Sequence, residues 1–353
     1  MSGNPTLSWP VRIRTALFGD KIRAVITILL VLIIAYAGPG LLNWLLLNAT
    51  WSGTSEDCRA NGGACWAFLA EKLNLIVFGA YPTSELWRPT VFMILLTLIA
   101  IYAYQRPRNI KQVIVTLAVG FAVGLMLMRG GFFGLQEIDN ARWGGLPITL
   151  IVTLAGLGAS FPLGVLIMLG AASENPLLRI PSRLYIDVIR GIPAITLVFM
   201  TFAIVPLLMP QGMMIDKLVR AAMGLTFLTA AYFAEALRGA LEALPKGQSE
   251  AAAALGIGYW KRQRLIILPQ VIANSMQPLA NIAIAFVKNT SLLIIIGLFD
   301  LLGAARSSLF DGDWQGYYRE LYLFVGLIYL VICLFLESYV SKLENERSGR
   351  ISR

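Results

Sequence analysis

Apolar runs, each close to the length that crosses a bilayer, recur between residues 24 and 339 and constrain the fold more than any other feature. A transmembrane helix needs about 20 predominantly apolar residues. The first run extends from residue 24 to about residue 47 and contains only one interruption, Gly38-Pro39-Gly40. It is too long for the apolar region of a removed signal peptide. The pattern predicts an all-α protein that crosses a membrane many times.

The composition supports the same class. The 353 residues are 57% hydrophobic and 14% charged, with a mean hydropathy of +0.71. A soluble domain carries about 25% charged residues. The formal net charge of +9 does not indicate a nucleic-acid partner, because the cations cluster between the apolar runs instead of forming one basic face. Such clustering is typical of loops on the cytoplasmic side of a membrane.

About eight spans are predicted, and the lipid bilayer is the first expected partner. They cover approximately residues 24–47, 89–104, 113–128, 147–172, 193–209, 218–237, 276–299 and 321–339. With both termini in the cytoplasm, about two-thirds of the 29 Lys and Arg residues fall in cytoplasmic segments. The opposite orientation would invert this bias, so the positive-inside rule favours cytoplasmic termini. The sequence therefore predicts a multi-pass membrane protein with both termini in the cytoplasm.

Several kinds of chemistry are excluded by what the sequence lacks. There is no histidine, which removes His-based acid–base catalysis, Ser-His and Cys-His pairs and His metal sites. The glycine pairs Gly130-Gly131 and Gly144-Gly145 lack the Lys-Ser/Thr that completes a phosphate-binding loop. We expect no catalytic residue, no metal site and no cofactor in this chain.

The longest polar interruption in the second half of the chain, residues 235–269, predicts a helix–glycine–helix element outside the bilayer. Pro245 suits a helix start, and Glu250 to Leu255 is strong helix-forming sequence. Gly256 and Gly258 suit a left-handed helix end. Residues 259–268 are predicted to form a second short helix that ends at Pro269.

At these residues the chain resembles the permeases of ABC importers. The resemblance rests on the spacing of Glu250, Ala251, Ala252, Gly256, Ile266, Leu268 and Pro269, which is that of the family's E-A-A loop. Arg238-Gly239-Ala240 and Pro245-Lys246-Gly247-Gln248 resemble the subfamily that imports polar amino acids. Arg190-Gly191-Ile192-Pro193 departs at one position from the Arg-Gly-Thr-Pro often found in the family.

The resemblance implies a domain organisation. Residues 141–345 would form a type I importer-like permease core of five spans, with a cytoplasmic coupling loop at 238–269. Residues 1–140, with three spans and an external loop, resemble the N-terminal extension of the larger permeases of general L-amino-acid importers.

The resemblance also implies a function. The chain would be the permease subunit of an importer of polar or general L-amino acids, working by alternating access. ATP would be hydrolysed by a partner ATPase dimer bound to the coupling loop. The other implied partners are a second, different permease and a periplasmic amino-acid-binding protein. The alternative is an ion-coupled secondary transporter or a channel for small polar solutes. It would need acidic residues in the span centres, and the sequence offers no convincing one there.

Three further groups of residues are candidates for a function. Lys288 lies well inside an apolar run, where a charge costs roughly 3 kcal/mol and must face protein or water. Together with Asn289, Thr290 and Ser291, Lys288 resembles a Lys-x-Thr/Ser-Ser-Leu stretch of the polar amino-acid permeases. These four residues are therefore candidates for the translocation path. The alternative is that Lys288 is a structural charge paired with Glu235 or a backbone carbonyl. Glu235 and Arg238 have the spacing of an ion pair within one helix, or could contact a partner. Cys58 and Cys65 lie in the first external loop, where a disulfide is plausible, with two unpaired thiols as the alternative.

Overall fold

The structure, a computed structural model, describes residues 9–106, 109–210, 212 and 215–351. Within these ranges the regular secondary structure is helical, and the only β-type pairings are isolated bridges between Thr50 and Cys65 and between Gly145 and Asp300. The predicted all-α class is confirmed.

Sixteen α-helices are found in the described part of the chain. Those of the first half are α1 (Trp9–Phe18), α2 (Lys21–Leu42), α3 (Ser55–Asn61), α4 (Trp66–Phe78), α5 (Trp87–Gln105), α6 (Ile110–Arg129) and α7 (Gly145–Ala171). Those of the second half are α8 (Pro176–Gly191), α9 (Ala194–Ile204), α10 (Lys217–Glu242), α11 (Gly247–Ala254), α12 (Tyr259–Arg262), α13 (Leu268–Asn274), α14 (Met276–Asn289), α15 (Leu301–Ser307) and α16 (Tyr318–Ile351). Short π-helices extend α2 (Asn43–Leu47) and join α12 to α13 (Gln263–Ile267), while the longer 3-10 segments follow α9 (Val205–Leu208) and α14 (Thr290–Ile296).

The number of spans is close to the eight expected. Six helical segments within the described ranges are long and apolar enough to cross a membrane, or seven if α8 and α9 together form one bent span. The predicted fifth span differs most, because α9 is short and α8 meets it at 110° around Ile192 and Pro193. The predicted sixth span is α10, whose 26 residues have the necessary length, about 39 Å at 1.5 Å per residue. Charged residues near both of its ends make α10 less apolar than the six segments counted above.

The predicted seventh span changes its helix type part-way. After Asn289 the α-helix tightens into the 3-10 segment Thr290–Ile296, which ends at left-handed Gly297. The Thr290 hydroxyl donates to the Val287 carbonyl and the Ser291 hydroxyl donates to the Lys288 carbonyl, both at 2.8 Å. Side-chain bonds of this kind compete with the helical backbone pattern, which accounts for the change.

Contacts divide the chain into two units. One contains the described residues up to Glu71 together with Gly312–Glu320, and the other contains Lys72–Asp311 and Leu321 onward. The predicted boundary near residue 140 stays a prediction.

In the first unit a disulfide closes the segment between α3 and α4. Cys58 is bonded to Cys65, with 5.4 Å between their Cα atoms. Thr54 and Asp57 form a capping box at the start of α3, and hydrogen bonds from the Thr54 backbone and hydroxyl hold the pKa of Asp57 below its usual range. We call residues 50–66 the disulfide loop.

The disulfide loop and α4 hold residues 312–320 through polar and aromatic contacts. The Cys65 backbone N–H donates to the buried Glu320 carboxylate at 3.1 Å. Arg59 donates to the Asp313 carbonyl at 3.1 Å. The ring of Phe68, near the start of α4, lies 5.7 Å from that of Tyr317. The position of Cys65, fixed by the disulfide, therefore supports the first turn of α16.

The second unit is centred on α7 and α10, which pack side by side. Its apolar core includes Phe92 of α5, Ile148 of α7, Leu225 of α10 and Phe286 of α14. Gly156 of α7 is required for this packing, because a Cβ atom there would fall within the Phe286 ring. Small residues permit close approach of helices in membranes.

We predict that the double variant Cys58→Ser/Cys65→Ser opens the disulfide loop. Closing so short a loop stabilises it by about 2 kcal/mol on chain-entropy grounds, so tryptic cleavage at Arg59, assayed on the external face of spheroplasts, should accelerate about tenfold or more. Cys333→Ser is the matched control, since Cys333 is the free cysteine of α16. Equal cleavage rates in the double variant and the control would contradict the prediction.

Candidate functional site

The helix–glycine–helix element is present. Helix α11 contains Glu250, Ala251 and Ala252, and a turn at residues 255–258 leads into α12. The Arg262 guanidinium lies against the Tyr259 ring and donates to the Ser249 carbonyl at 3.4 Å. This contact holds α12 against α11.

Gly256 ends α11 in the left-handed conformation, with φ of +71°. The Gly256 N–H donates to the Ala253 carbonyl at 2.9 Å and the Ile257 N–H donates to the Ala252 carbonyl at 3.0 Å. Together these bonds form a Schellman motif, for which glycine is the preferred residue. Gly258 was expected to share this role, and that expectation is wrong: its φ is −61° and it caps the start of α12.

Pro269 does not end the second helix, contrary to the prediction. The chain continues helically from Tyr259 to Asn274, through the π-helical turn Gln263–Ile267. A proline lacks the N–H of the helical bond and crowds the preceding turn. Here the wider turn precedes it and Pro269 occupies one of the first two positions of α13, where a proline is tolerated.

One face of the element is anchored in the second unit. Ile267 and Val271 are buried in a cluster with Met168 of α7, Ile186 of α8 and Leu237 of α10. Protein interiors are close-packed and deform little. We call α11–α13 the coupling element; this cluster joins it to α7, α8 and α10.

The other face is apolar and exposed. Leu255, Trp260 and Leu265 are exposed by 79%, 70% and 68%, although the polar sequence around them places the element outside the bilayer. Lys261 and Arg264 lie among them and are also exposed. An apolar patch of this kind, bordered by charges, is typical of a protein interface.

Charges link α8 and α10 near the C-terminal end of each helix. Arg238 donates two hydrogen bonds to the Glu235 carboxylate, each at 2.9 Å, and Arg190 approaches the same carboxylate at 3.4 Å. The predicted pair within one helix is thus confirmed. Arg190, next to the bend between α8 and α9, joins this pair; sequence spacing does not predict the contact, because Arg190 and Glu235 are distant in the chain.

Lys288 does not pair with Glu235. Among the described residues its ammonium group has no hydrogen-bond or ion-pair partner, and its side chain is exposed beside a cavity of about 420 Å³. Ser291 and Tyr329 line the same cavity. The structure therefore brings two of the four predicted pathway residues together.

Thr290 lies apart from that cavity. It is fully buried, and its hydroxyl lies 3.4 Å from the carboxylate of Asp300. Asp300, also fully buried, caps α15 through the Gly303 N–H and accepts a 2.9 Å bond from the Tyr329 hydroxyl. Asn289 is partly exposed. The sequence analysis missed Asp300; its only signal is an acidic residue directly before an apolar helical segment, which is an N-cap pattern.

These features define a multi-pass helical membrane protein. Its helix–glycine–helix element is packed against the helix bundle on one side and exposes apolar side chains on the other. Residues 160–347 match the family described as "Binding-protein-dependent transport system inner membrane component". The chain is 39% identical over 343 residues to the inner membrane amino-acid ABC transporter permease protein YhdY of Escherichia coli, with 96% of this chain and 94% of that protein covered.

Two further comparisons agree. The glutamate/glutamine/aspartate/asparagine transport system permease protein BztC of Rhodobacter capsulatus is 29% identical over 401 residues, with 94% and 92% of the chains covered. A crystal structure described as an amino acid ABC transporter with histidines is 28% identical and has a TM-score of 0.50, covering 57% of this chain and 92% of that one. The chain belongs to the family of binding-protein-dependent transport system inner membrane components, and it is a multi-pass inner-membrane protein.

We predict that Glu235→Gln destabilises the protein more than Glu242→Gln. Glu235 accepts the paired bonds from Arg238 and also faces Arg190, whereas Glu242 meets Arg238 alone and its side chain is 60% exposed. Bidentate pairs are stronger than single exposed ones. We expect a loss of about 1 kcal/mol for Glu235→Gln, seen as a lower thermal unfolding midpoint of the purified protein. The difference should shrink at high salt; equal midpoints at low salt would refute the prediction.

Proposed function

We propose that this protein is the permease subunit of an ABC importer that brings polar or general L-amino acids across the inner membrane. The exposed apolar face of the coupling element carries the proposal. Leu255, Trp260 and Leu265 need a protein partner, while Ile267 and Val271 connect the same element to three helices. A subunit that closes on this face and changes shape would move those helices.

The proposed partner at this face is the ATPase dimer of the transporter. The chain carries no phosphate-binding loop of its own, so the energy would come from ATP hydrolysed by the partner. Closure of the ATPases would move the coupling element as one body, and the spans would alternate between outward-open and inward-open arrangements. No cofactor or catalytic residue in this chain takes part in the proposed mechanism.

The amino-acid substrate class rests on relatives that match this chain over nearly their whole length and are named as amino-acid permeases. A periplasmic amino-acid-binding protein would deliver the substrate and do most of the selecting. A second permease of a different sequence would complete the membrane part; this proposal rests on the resemblance of the N-terminal segment to that of the larger permeases of general L-amino-acid importers.

The proposed orientation places both termini in the cytoplasm. The bias of Lys and Arg supports it. The same orientation puts the coupling element on the cytoplasmic side, where ATP is available, and the Cys58–Cys65 disulfide on the oxidising side.

Lys288 and Ser291 are proposed to line the translocation path. Lys288 lies 12 residues after Met276, the first residue of α14, so it is about 18 Å along the helix and past the middle of a hydrocarbon core about 30 Å thick. An unpaired cation at that depth requires a water-filled or protein-lined space, and the adjoining cavity supplies one.

We predict that Gly256→Asp weakens binding of the ATPase to this protein. A side chain at this left-handed position strains the turn by roughly 1–2 kcal/mol and adds a charge to the docking face. ATPase recovered with the tagged protein, identified by mass spectrometry, should fall at least tenfold, and uptake of labelled amino acids with it, while membrane insertion is normal.

Gly62→Asp is the matched control for this experiment. Gly62 also ends a helix, α3, with φ of +65°, and like Gly256 it has open space where a Cβ would be. It lies in the disulfide loop, so ATPase recovery should match wild type. If Gly256→Asp also retained the ATPase and full uptake, the coupling assignment would be wrong.

We predict that Lys288→Met lowers uptake about tenfold while ATPase recovery is unchanged, because the change removes the charge of the pathway and leaves the coupling element intact. Uptake is measured with labelled amino acids at matched expression. Lys111→Met, at the exposed start of α6, is the control and should transport normally. Full uptake by Lys288→Met would remove Lys288 from the path.

A further inference from the structure

A second and larger cavity, of about 750 Å³, lies between α6, α7 and the start of α10. It is separate from the Lys288 cavity and from the coupling element, and none of the residues singled out from the sequence lines it. We call it the interfacial cavity.

The mouth of the interfacial cavity lies at the level of the bilayer surface. Arg129 is the last residue of α6 and Trp143 lies just before α7, so both are at the level where spans enter or leave the membrane. Ala155 of α7, also in the cavity wall, is ten residues beyond Gly145, or about 15 Å deeper along the helix. The cavity thus extends from the membrane surface to about the middle of a 30 Å hydrocarbon core.

The walls change in chemistry along this depth. The deep part is apolar and is formed by side chains such as Phe121, Leu125, Ile151 and Ala222. The mouth is charged and is formed by Arg129, Glu137, Asp139 and Asp216. A ligand that fits both parts has a long apolar portion and a polar head, which is the chemistry of a membrane lipid.

The charges of the mouth discriminate among lipid headgroups. Arg129 is paired with Glu137 at 3.1 Å. Asp139 accepts the Ala141 N–H and Asp216 accepts the Leu218 N–H, in each case through Oδ1. In the described part of the chain no cation pairs with either aspartate. With one cation and three carboxylates, the mouth attracts an ammonium group and repels a headgroup of net negative charge.

Trp143 supplies a second, independent observation. Its side chain is buried, with 9% exposed, and lines the interfacial cavity. Its indole N–H has no acceptor within the ranges that the structure describes. A buried donor without a partner is costly, and tryptophan at a membrane surface usually bonds a polar group there. A headgroup or ester oxygen at the mouth would be such a partner.

We infer that the interfacial cavity binds one zwitterionic, amine-headed phospholipid of the phosphatidylethanolamine class. Its phosphate lies by Arg129 and Trp143, its ammonium group lies by Asp139 and Asp216, and one acyl chain lies between α6 and α7. The inference does not depend on which solute the protein transports.

Native mass spectrometry of the full-length protein, released from nanodiscs of equal phosphatidylethanolamine and phosphatidylglycerol with the same acyl chains, tests this inference. We expect the wild type to retain one phosphatidylethanolamine per chain, in several-fold excess over phosphatidylglycerol. Ala155→Phe, which fills the deep part, should lose this lipid several-fold. Val123→Phe adds the same ring on α6 at a residue that is 52% exposed and outside the cavity wall, and should retain it.

A charge variant separates the role of the headgroup from that of cavity volume. Asparagine caps a helix about as well as aspartate, so Asp139→Asn/Asp216→Asn keeps both local structures and removes two negative charges. We expect this variant to lose its preference for phosphatidylethanolamine over phosphatidylglycerol. Equal retention of the two lipids by wild type, retention by Ala155→Phe, or displacement of the lipid by millimolar free amino acid would each overturn the inference.

Discussion

The hydrocarbon core of a bilayer offers no water to hydrogen-bond with, and this constraint determines most of the structure. Each backbone N–H and C=O inside it must be bonded within the protein, so spanning segments are helical. Where the helices of this chain are interrupted, local bonds replace those that are lost. Thr290 and Ser291 bond carbonyl groups of the preceding turn, and Gly297 ends the 3-10 segment in a left-handed conformation that only glycine adopts readily. The interruptions are therefore compatible with a membrane environment.

The proposed transmission of movement from the ATPase to the spans requires that the coupling element be held rigidly. Both ends of its turn are fixed: the Schellman bonds hold Gly256, and Arg262 bonds back to Ser249. The cluster around Ile267 and Val271 then joins the element to α7, α8 and α10. The ion pair of Arg190 with Glu235 also connects α8 to α10, and Arg238 of α10 holds the Glu235 carboxylate in place. These contacts would carry a displacement of the exposed face to the spans if, as proposed, a partner binds there.

Much of this arrangement could be predicted from local sequence, because local rules decide it. Glu250 to Ala254 is helical by propensity, and Gly256 follows it where a helix needs a left-handed end. The path past Pro269 could not be predicted, since a π-helical turn depends on how Ile267 packs. Lys288 was recognised from its charge in an apolar run. The separation of Thr290 from it could not be foreseen, because the partner of Thr290 is Asp300, which only the folded chain brings near. The role of Arg190 could not be foreseen for the same reason, because its partner Glu235 is distant in sequence.

The two cavities of the second unit differ in a way that bears on their roles. The Lys288 cavity holds a cation without a partner among the described residues, and at the proposed depth such a charge must face protein or water. The interfacial cavity has its charges at the membrane surface, where water and headgroups solvate them, and is apolar below. The Lys288 cavity suits a solute that is released after each transport cycle, because polar groups deep in the bilayer replace the water that the solute loses. A lipid that remains bound suits the interfacial cavity, because its acyl chain packs against the apolar wall and fills space that would otherwise lack contacts.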